Sequence, residues 1–135
     1  MIDLHFHSVF SDGDLTPEEL VTQGKALGLR AMVLTDHDTT EGVPRFLEAC
    51  RREGIESCPG VEISAEYNPG TLHMLGYGFD LRNGAIQDAL IQIRDGRKIR
   101  NVKIIEKLRA AGCDIRLEDA EAEAGAALVL PAQRR

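Results

Sequence analysis

Ala31-Met32-Val33-Leu34-Thr35-Asp36-His37-Asp38 is the stretch that decides the fold. An apolar run that turns abruptly polar is the mark of a short strand buried on both faces, as parallel strands covered by helices are. Helices are expected on either side of it. Upstream, Thr16 can cap a helix, Pro17 suits its first position because its missing N–H would be unpaired there, and Glu19 stands where a capping box needs it. Leu20, Val21 and Leu27 form the apolar face, and Gly28 ends the helix. Downstream, Asp38 or Thr39 can cap a second helix with Glu41 in its first turn. Val43, Phe46, Leu47 and Cys50 recur there at i, i+3, i+4 and i+7, and Gly54 closes it.

Further out, residues 2–7 read as a strand that stops at a Ser11-Asp12-Gly13 turn. Residues 55–63 read as a third strand, and residues 72–79 as a fourth after an Asn68-Pro69-Gly70 turn. The alternation of strand and helix implies parallel βα units and an α/β class. From Ala85 the pattern becomes a long helix, with Ile86, Leu90, Ile93, Val102, Ile105 and Leu108, ending near Gly112; a short helix follows over residues 117–124.

With 135 residues, the chain has material for one modest core. No apolar run approaches the roughly 18 residues of a membrane span, and the first residues do not read as a leader, so a soluble cytoplasmic protein is expected. Cys50, Cys58 and Cys113 are odd in number and widely spaced, and are expected to be small buried apolar residues, not a disulfide or zinc framework. A net charge of −6 argues against a protein that coats DNA. That average hides a reversal between Arg94 and Arg109, where seven basic residues face only Asp95 and Glu106.

His5 and His7 are two apart on a strand, so both imidazoles project to one face, an arrangement suited to a first-row metal. Asp12 lies in the turn that follows and can fold back over the strand end. His37 stands at the end of the second strand, where parallel βα proteins gather their functional groups. Its neighbours Asp36 and Asp38 suit supporting roles, one orienting an imidazole and the other capping the next helix. Glu62 is a carboxylate inside an apolar strand, costly to bury without a partner. His73 begins the fourth strand. Every histidine of the chain thus falls at a strand end beside a carboxylate or a turn. Each position has an ordinary structural reading alone, and their conjunction points to metal.

Asp3-Leu4-His5-Phe6-His7-Ser8, Ser11-Asp12-Gly13, Thr35-Asp36-His37-Asp38, Gly60-Val61-Glu62-Ile63-Ser64 and His73-Met74-Leu75-Gly76-Tyr77 together resemble the PHP (polymerase and histidinol phosphatase) family. The resemblance implies the amino-terminal portion of a distorted (β/α)7 TIM-like barrel that binds two or three divalent ions, Mn, Zn or Fe. It implies His5, His7, Asp12, His37, Glu62 and His73 as ligands, with Glu62 bridging two metals. Glu62 and Asp36 are the candidate catalytic residues.

The motifs cover residues 2 to about 79. The segment after Phe79 resembles the small helical insertion of the TrpH-like branch, giving an expected division into barrel units over 1–80, a helical insertion over 81–127 and an aberrant tail over 128–135. Members of that branch act on nucleoside 3′,5′-bisphosphates and on RNA 5′ ends by metal-activated water. A small phosphorylated nucleotide or a short RNA end is therefore the expected partner. Arg94 and Arg97 are candidates for holding substrate phosphate. They share one helix side with Lys98 and Asn101, as a solvated face also would, so both readings stay open.

Family members continue with a histidine of a His-Pro motif and a later Asp and His as further ligands, none of which this sequence contains. A truncated or frameshifted end is therefore expected, leaving an open sheet edge. Two other classes compete: a non-catalytic metal-binding or interaction fragment, and an amidohydrolase that cleaves C–N bonds. The Ser-Asp-Gly turn after His7 and the Gly-Val-Glu strand favour the phosphoesterase over the latter.

Overall fold

The computed structural model describes residues 1–67 and 70–123. Asn68 and Pro69 of the expected turn, and the expected tail over 128–135, lie outside the described residues. Strand β1 (Ile2–Phe6) pairs in parallel with β2 (Ala31–Leu34). Between them runs α1 (Pro17–Ala26), opened by the capping box: Thr16 accepts from the Glu19 N–H, and the Glu19 carboxylate accepts from the Thr16 N–H. Helix α2 (Val43–Glu53) follows β2 and ends at Gly54, whose φ of 69° is the left-handed value a C-terminal glycine supplies without steric cost.

The core lies where α1 and α2 cover one side of β2. Val21, Leu29, Met32, Leu34, Val43, Phe46, Ala49, Cys50 and Ile55 are buried together, with Phe6, Leu20, Leu47 and Leu81 packed at its edge. Leu27 is not part of it: it sits in the turn after α1 at 74% exposure, and Leu29 takes the buried place. A bidentate pair from Arg45 to Glu18 ties α2 to α1 on the outside, holding the Glu18 carboxyl below its ordinary range.

The third strand, β3 (Gly60–Tyr67), begins five residues later than the sequence pattern suggests. Glu56 makes one bridge to Ala31 of β2, but Pro59 has no N–H to donate, so a continuous ladder starts only beyond it. β3 then joins the end of β2 through a parallel bridge, with Asp38 N–H donating to the Glu62 carbonyl and Glu62 N–H to the Asp36 carbonyl. β4 (Gly70–Tyr77) pairs antiparallel to β3 across a full hairpin, with Ser64 opposite His73. A connection this short allows only antiparallel pairing, so the parallel βα pattern stops at β3.

Gly60 is where β3 meets the buried strand. A Cβ there would overlap Val33 Cγ1 and stand 2.6 Å from the Leu34 carbonyl oxygen, which is backbone and has nowhere to move. Gly60→Ala is expected to lower unfolding stability by about 1–3 kcal/mol, read by urea denaturation. A stability equal to the parent's would show that β3 can shift freely along β2.

Helix α3 (Gly84–Ala110) is capped by Asn83, whose side chain accepts from the Ile86 N–H. Only Leu90 of it is buried; Ile91, Ile99, Val102, Ile104 and Leu108 are exposed. Its docking face is otherwise polar: Gln87 bonds Thr40, Arg94 pairs with Glu41 at 2.6 Å, and Arg97 pairs with Asp38 at 2.9 Å. Helix α4 (Leu117–Glu123) packs against α3. Cys113, expected to be buried, is exposed beyond the end of α3; Cys58 is half-buried and Cys50 alone is a core thiol. No described helix is long and apolar enough to cross a membrane.

Candidate metal centre

Four successive strands deliver the site. β1 and its end carry His5 and His7, the end of β2 carries His37, β3 carries Glu62 and β4 carries His73. Because Ser64 faces His73 across the hairpin, Glu62, two residues before Ser64, shares a sheet face with that imidazole.

Glu62 is the hub. Its Oε2 lies 2.8 Å from His5 Nε2, 3.0 Å from His7 Nε2 and 3.8 Å from His37 Nδ1, while Oε1 lies 2.6 Å from His73 Nδ1. Asp12 approaches from the loop after β1, 3.2 Å from His7 Nδ1 and 3.6 Å from His37 Nε2. All four histidines, Asp12 and Glu62 therefore converge, and they form three overlapping groups of ligand atoms: His5, His7 and Glu62; His7, Asp12 and His37; His37, Glu62 and His73.

Electrostatics suit this cluster to cations. Glu62 is 4% exposed; burial alone would push its carboxyl up, but hydrogen bonding from His5 and His73 and the charge of His37 together hold it below the ordinary range. Burial pushes His37 down, favouring the neutral imidazole that ligates metal. His37 Nδ1 is buried without a hydrogen-bond partner, and His5 and His7 bring their Nε2 atoms within 3.0 Å of each other. An orphaned ring nitrogen and crowded imidazoles around one carboxylate fit a bound divalent ion.

The support of the site departs from the sequence reading. Asp36, expected to orient an imidazole, touches none. Fully buried, it accepts from Ser8 N–H at 2.7 Å, Ser8 Oγ at 2.7 Å and Ser11 Oγ at 2.6 Å, and so reaches His7 only through Ser11, 3.4 Å from His7 Nδ1. Asp38, expected as a helix cap, is equally buried and caps nothing: α2 starts at Gly42 with no side-chain cap. Its backbone is left-handed, φ 54°, and its Oδ1 accepts from the Ser64 N–H at 2.7 Å. Gly13 lets the first loop fold flat on the β1 end, since a Cβ there would overlap the His7 carbonyl. Tyr77 donates to the Leu4 carbonyl at 3.0 Å, within the register shift of β1 beside His5. No spacing in the sequence marks Ser8, Ser11, Ser64 or Tyr77 for these duties, because their partners, the Asp36 and Asp38 carboxylates and the Leu4 carbonyl, are 25 or more residues away.

Arg94 and Arg97 both reach the rim, and they differ. Arg94 pairs with the half-exposed Glu41 and touches Thr39 Oγ1 at 3.4 Å. Arg97 is held by Asp38 and Ser64.

Residues 3–100 match the PHP domain. The chain belongs to the PHP family. Among relatives of this PHP chain, a 3′,5′-nucleoside bisphosphate phosphatase from Chromobacterium violaceum is 41% identical over 82% of this chain and 39% of its own length. The 5′-3′ exoribonuclease Rnm of Salmonella typhimurium is 38% identical over 81% of this chain and 38% of its own. The crystal structure of a protein described as a putative metal-dependent phosphoesterase, from Bifidobacterium adolescentis, superposes with a TM-score of 0.79 at 35% identity, covering 90% of this chain and 42% of that one. The mixed α/β arrangement is thus that of PHP structures. This PHP chain spans about two fifths of the length of these curated relatives.

Proposed function

We propose that the protein is a metal-dependent phosphoesterase that hydrolyses a phosphate ester, of a nucleoside 3′,5′-bisphosphate or of an RNA 5′ end. The observation that carries this reading is the convergence of four histidines on the buried Glu62, with Asp12 beside His7 and His37. The substrate classes come from the relatives, one named a bisphosphate phosphatase and another an exoribonuclease. The strands are read as the first of a distorted (β/α)7 barrel over residues 1–80, and residues 81–127, of which 124–127 lie outside the described residues, as an insertion that is helical where described.

His5, His7, Asp12, His37, Glu62 and His73 would hold two or three divalent ions of Mn, Zn or Fe. Bound there, such ions supply a water of near-neutral pKa and positive charge facing the phosphate oxygens. Burial pushes the His37 pKa down, which favours the neutral ring, and its buried Nδ1 has no hydrogen-bond partner. Glu62 sets the spacing of the imidazoles by meeting three of them at 3.0 Å or less. Asp36 acts from behind, fixing Ser8 and Ser11 and thereby the loop that brings Asp12 forward. Arg94 can exchange the exposed Glu41 carboxylate for a second phosphate group of the substrate, since a guanidinium binds either in the same forked geometry.

With Mn2+ or Zn2+ present, a completed PHP domain carrying this chain is expected to release inorganic phosphate from a nucleoside 3′,5′-bisphosphate or mononucleotides from a 5′-phosphorylated RNA, and to stop on addition of EDTA. No metal-dependent turnover of either substrate would reject the proposal.

A further inference from the structure

The face that α3 presents to the metal centre is joined to it through one carboxylate. Asp38 follows His37 directly and makes three attachments. Its N–H donates to the Glu62 carbonyl at 2.9 Å, its Oδ1 accepts from the Ser64 N–H at 2.7 Å, and its Oδ2 lies 2.9 Å from Arg97 Nη2 of α3 as a close ion pair without hydrogen-bond alignment. The first two clasp β3 on either side of Ile63, just beside Glu62. The third brings in a helix otherwise anchored by one buried leucine and two rim contacts.

Asp38 is fully buried, so its charge depends on Arg97 for compensation. It also holds a left-handed backbone, φ 54°, which aspartate tolerates better than most side chains and which turns its carboxylate back toward β3. Arg97 touches none of the six candidate ligands, and its Nη2 is engaged by Asp38 and by Ser64 Oγ.

We propose that Arg97 and Asp38 form a positioning pair: Arg97 fixes the Asp38 turn, the turn fixes His37 against Glu62, and docking of α3 is thereby coupled to metal binding. This rests on the metal-centre reading above. Coupling of this kind is reciprocal, so metal strengthens the docking of α3 as much as docking strengthens metal binding.

The sign of one substitution separates this from simple electrostatics. Removing a positive charge beside a cation site should tighten cation binding if Arg97 acted only through its field. As a positioning residue, its loss should weaken binding instead. The experiment is Mn2+ titration, without substrate, of the parent protein, Arg97→Met, Arg97→Lys, Asp38→Asn and Arg100→Met, which removes an equal charge from an exposed part of the same helix.

Arg97→Met is expected to weaken Mn2+ affinity about tenfold, the low end of what outer-shell partners of metal ligands contribute. Asp38→Asn should do the same, Arg97→Lys should recover part of the loss, and Arg100→Met should leave affinity unchanged. Hydrogen exchange over residues 87–97 should slow on adding Mn2+ in the parent and not in Arg97→Met. Unchanged or tighter Mn2+ binding by Arg97→Met, or equal slowing of exchange in both proteins, overturns the proposal. Failure of the parent to bind Mn2+ at all would instead overturn the metal-centre reading on which it rests.

Discussion

Glu62→Gln should lower Mn2+ or Zn2+ affinity by more than about 100-fold and abolish metal-dependent phosphate release. Loss of a supporting group outside the ligand set already costs 10–100-fold in metal binding, and Glu62 is at the centre of this set. Both its oxygens are engaged, Oε1 by His73 and Oε2 by His5 and His7. An amide keeps the size but presents an NH2 group where one of those oxygens stood, and removes the negative charge that draws cations to neutral imidazoles. The metal-free variant should still fold but unfold at a somewhat lower urea concentration than the parent, because glutamine fills the same volume while the folded state favours the charge that the amide removes. Competition with a chromogenic chelator measures the affinity; parent-like binding would show that Glu62 is not a ligand.

Asp36→Ala should act through the fold. The substitution leaves the Ser8 N–H, the Ser8 hydroxyl and the Ser11 hydroxyl without their acceptor, and Ser8 and Asp36 are both fully buried. Hydrogen bonds to a charged group contribute about 1.5–3 kcal/mol each, and donors orphaned in the interior carry their desolvation cost. A combined loss of about 3–5 kcal/mol is expected, a large part of the roughly 5–15 kcal/mol that holds a typical domain together. Urea denaturation measures it. Asp36→Asn, which keeps one oxygen for the three donors, should lose less. A loss under about 1 kcal/mol for the alanine variant would mean that water replaces the carboxylate.

The two carboxylates differ in how plainly the sequence announces them. Glu62 interrupts an apolar strand, and an unpaired charge there is physically improbable, so its importance could be read directly. The four histidines do cluster with Glu62, but not all at strand ends: His73, expected to begin the fourth strand, lies in the middle of β4, which starts at Gly70, while the capping box at Thr16 and Glu19 formed as its spacing predicted. Asp36 and Asp38 could be seen to matter but not how. Their partners, Ser8, Ser11, Ser64 and Arg97, are 25 or more residues away or belong to another element. Local spacing carries no record of which backbone N–H a folded chain brings beside a carboxylate. The start of β3 was misplaced for a related reason, because the apolar run from Ile55 looks like a strand while Pro59 withholds the donor that pairing needs. The docking of α3 was hidden as well, since Arg94 and Arg97 have the same helical spacing whether they meet solvent, phosphate or acidic neighbours.

The distribution of the site over four strands has a consequence in time. His5 and His73 are 68 residues apart, so at synthesis rates of about 5–20 residues per second the last imidazole follows the first by roughly 3–14 s. Throughout that interval His5 and His7 are already made, while the β3–β4 hairpin that brings Glu62 and His73 is not. On the metal-centre proposal, the four histidines and Glu62 can act together only once the β3–β4 hairpin has been made, so the site cannot form strand by strand.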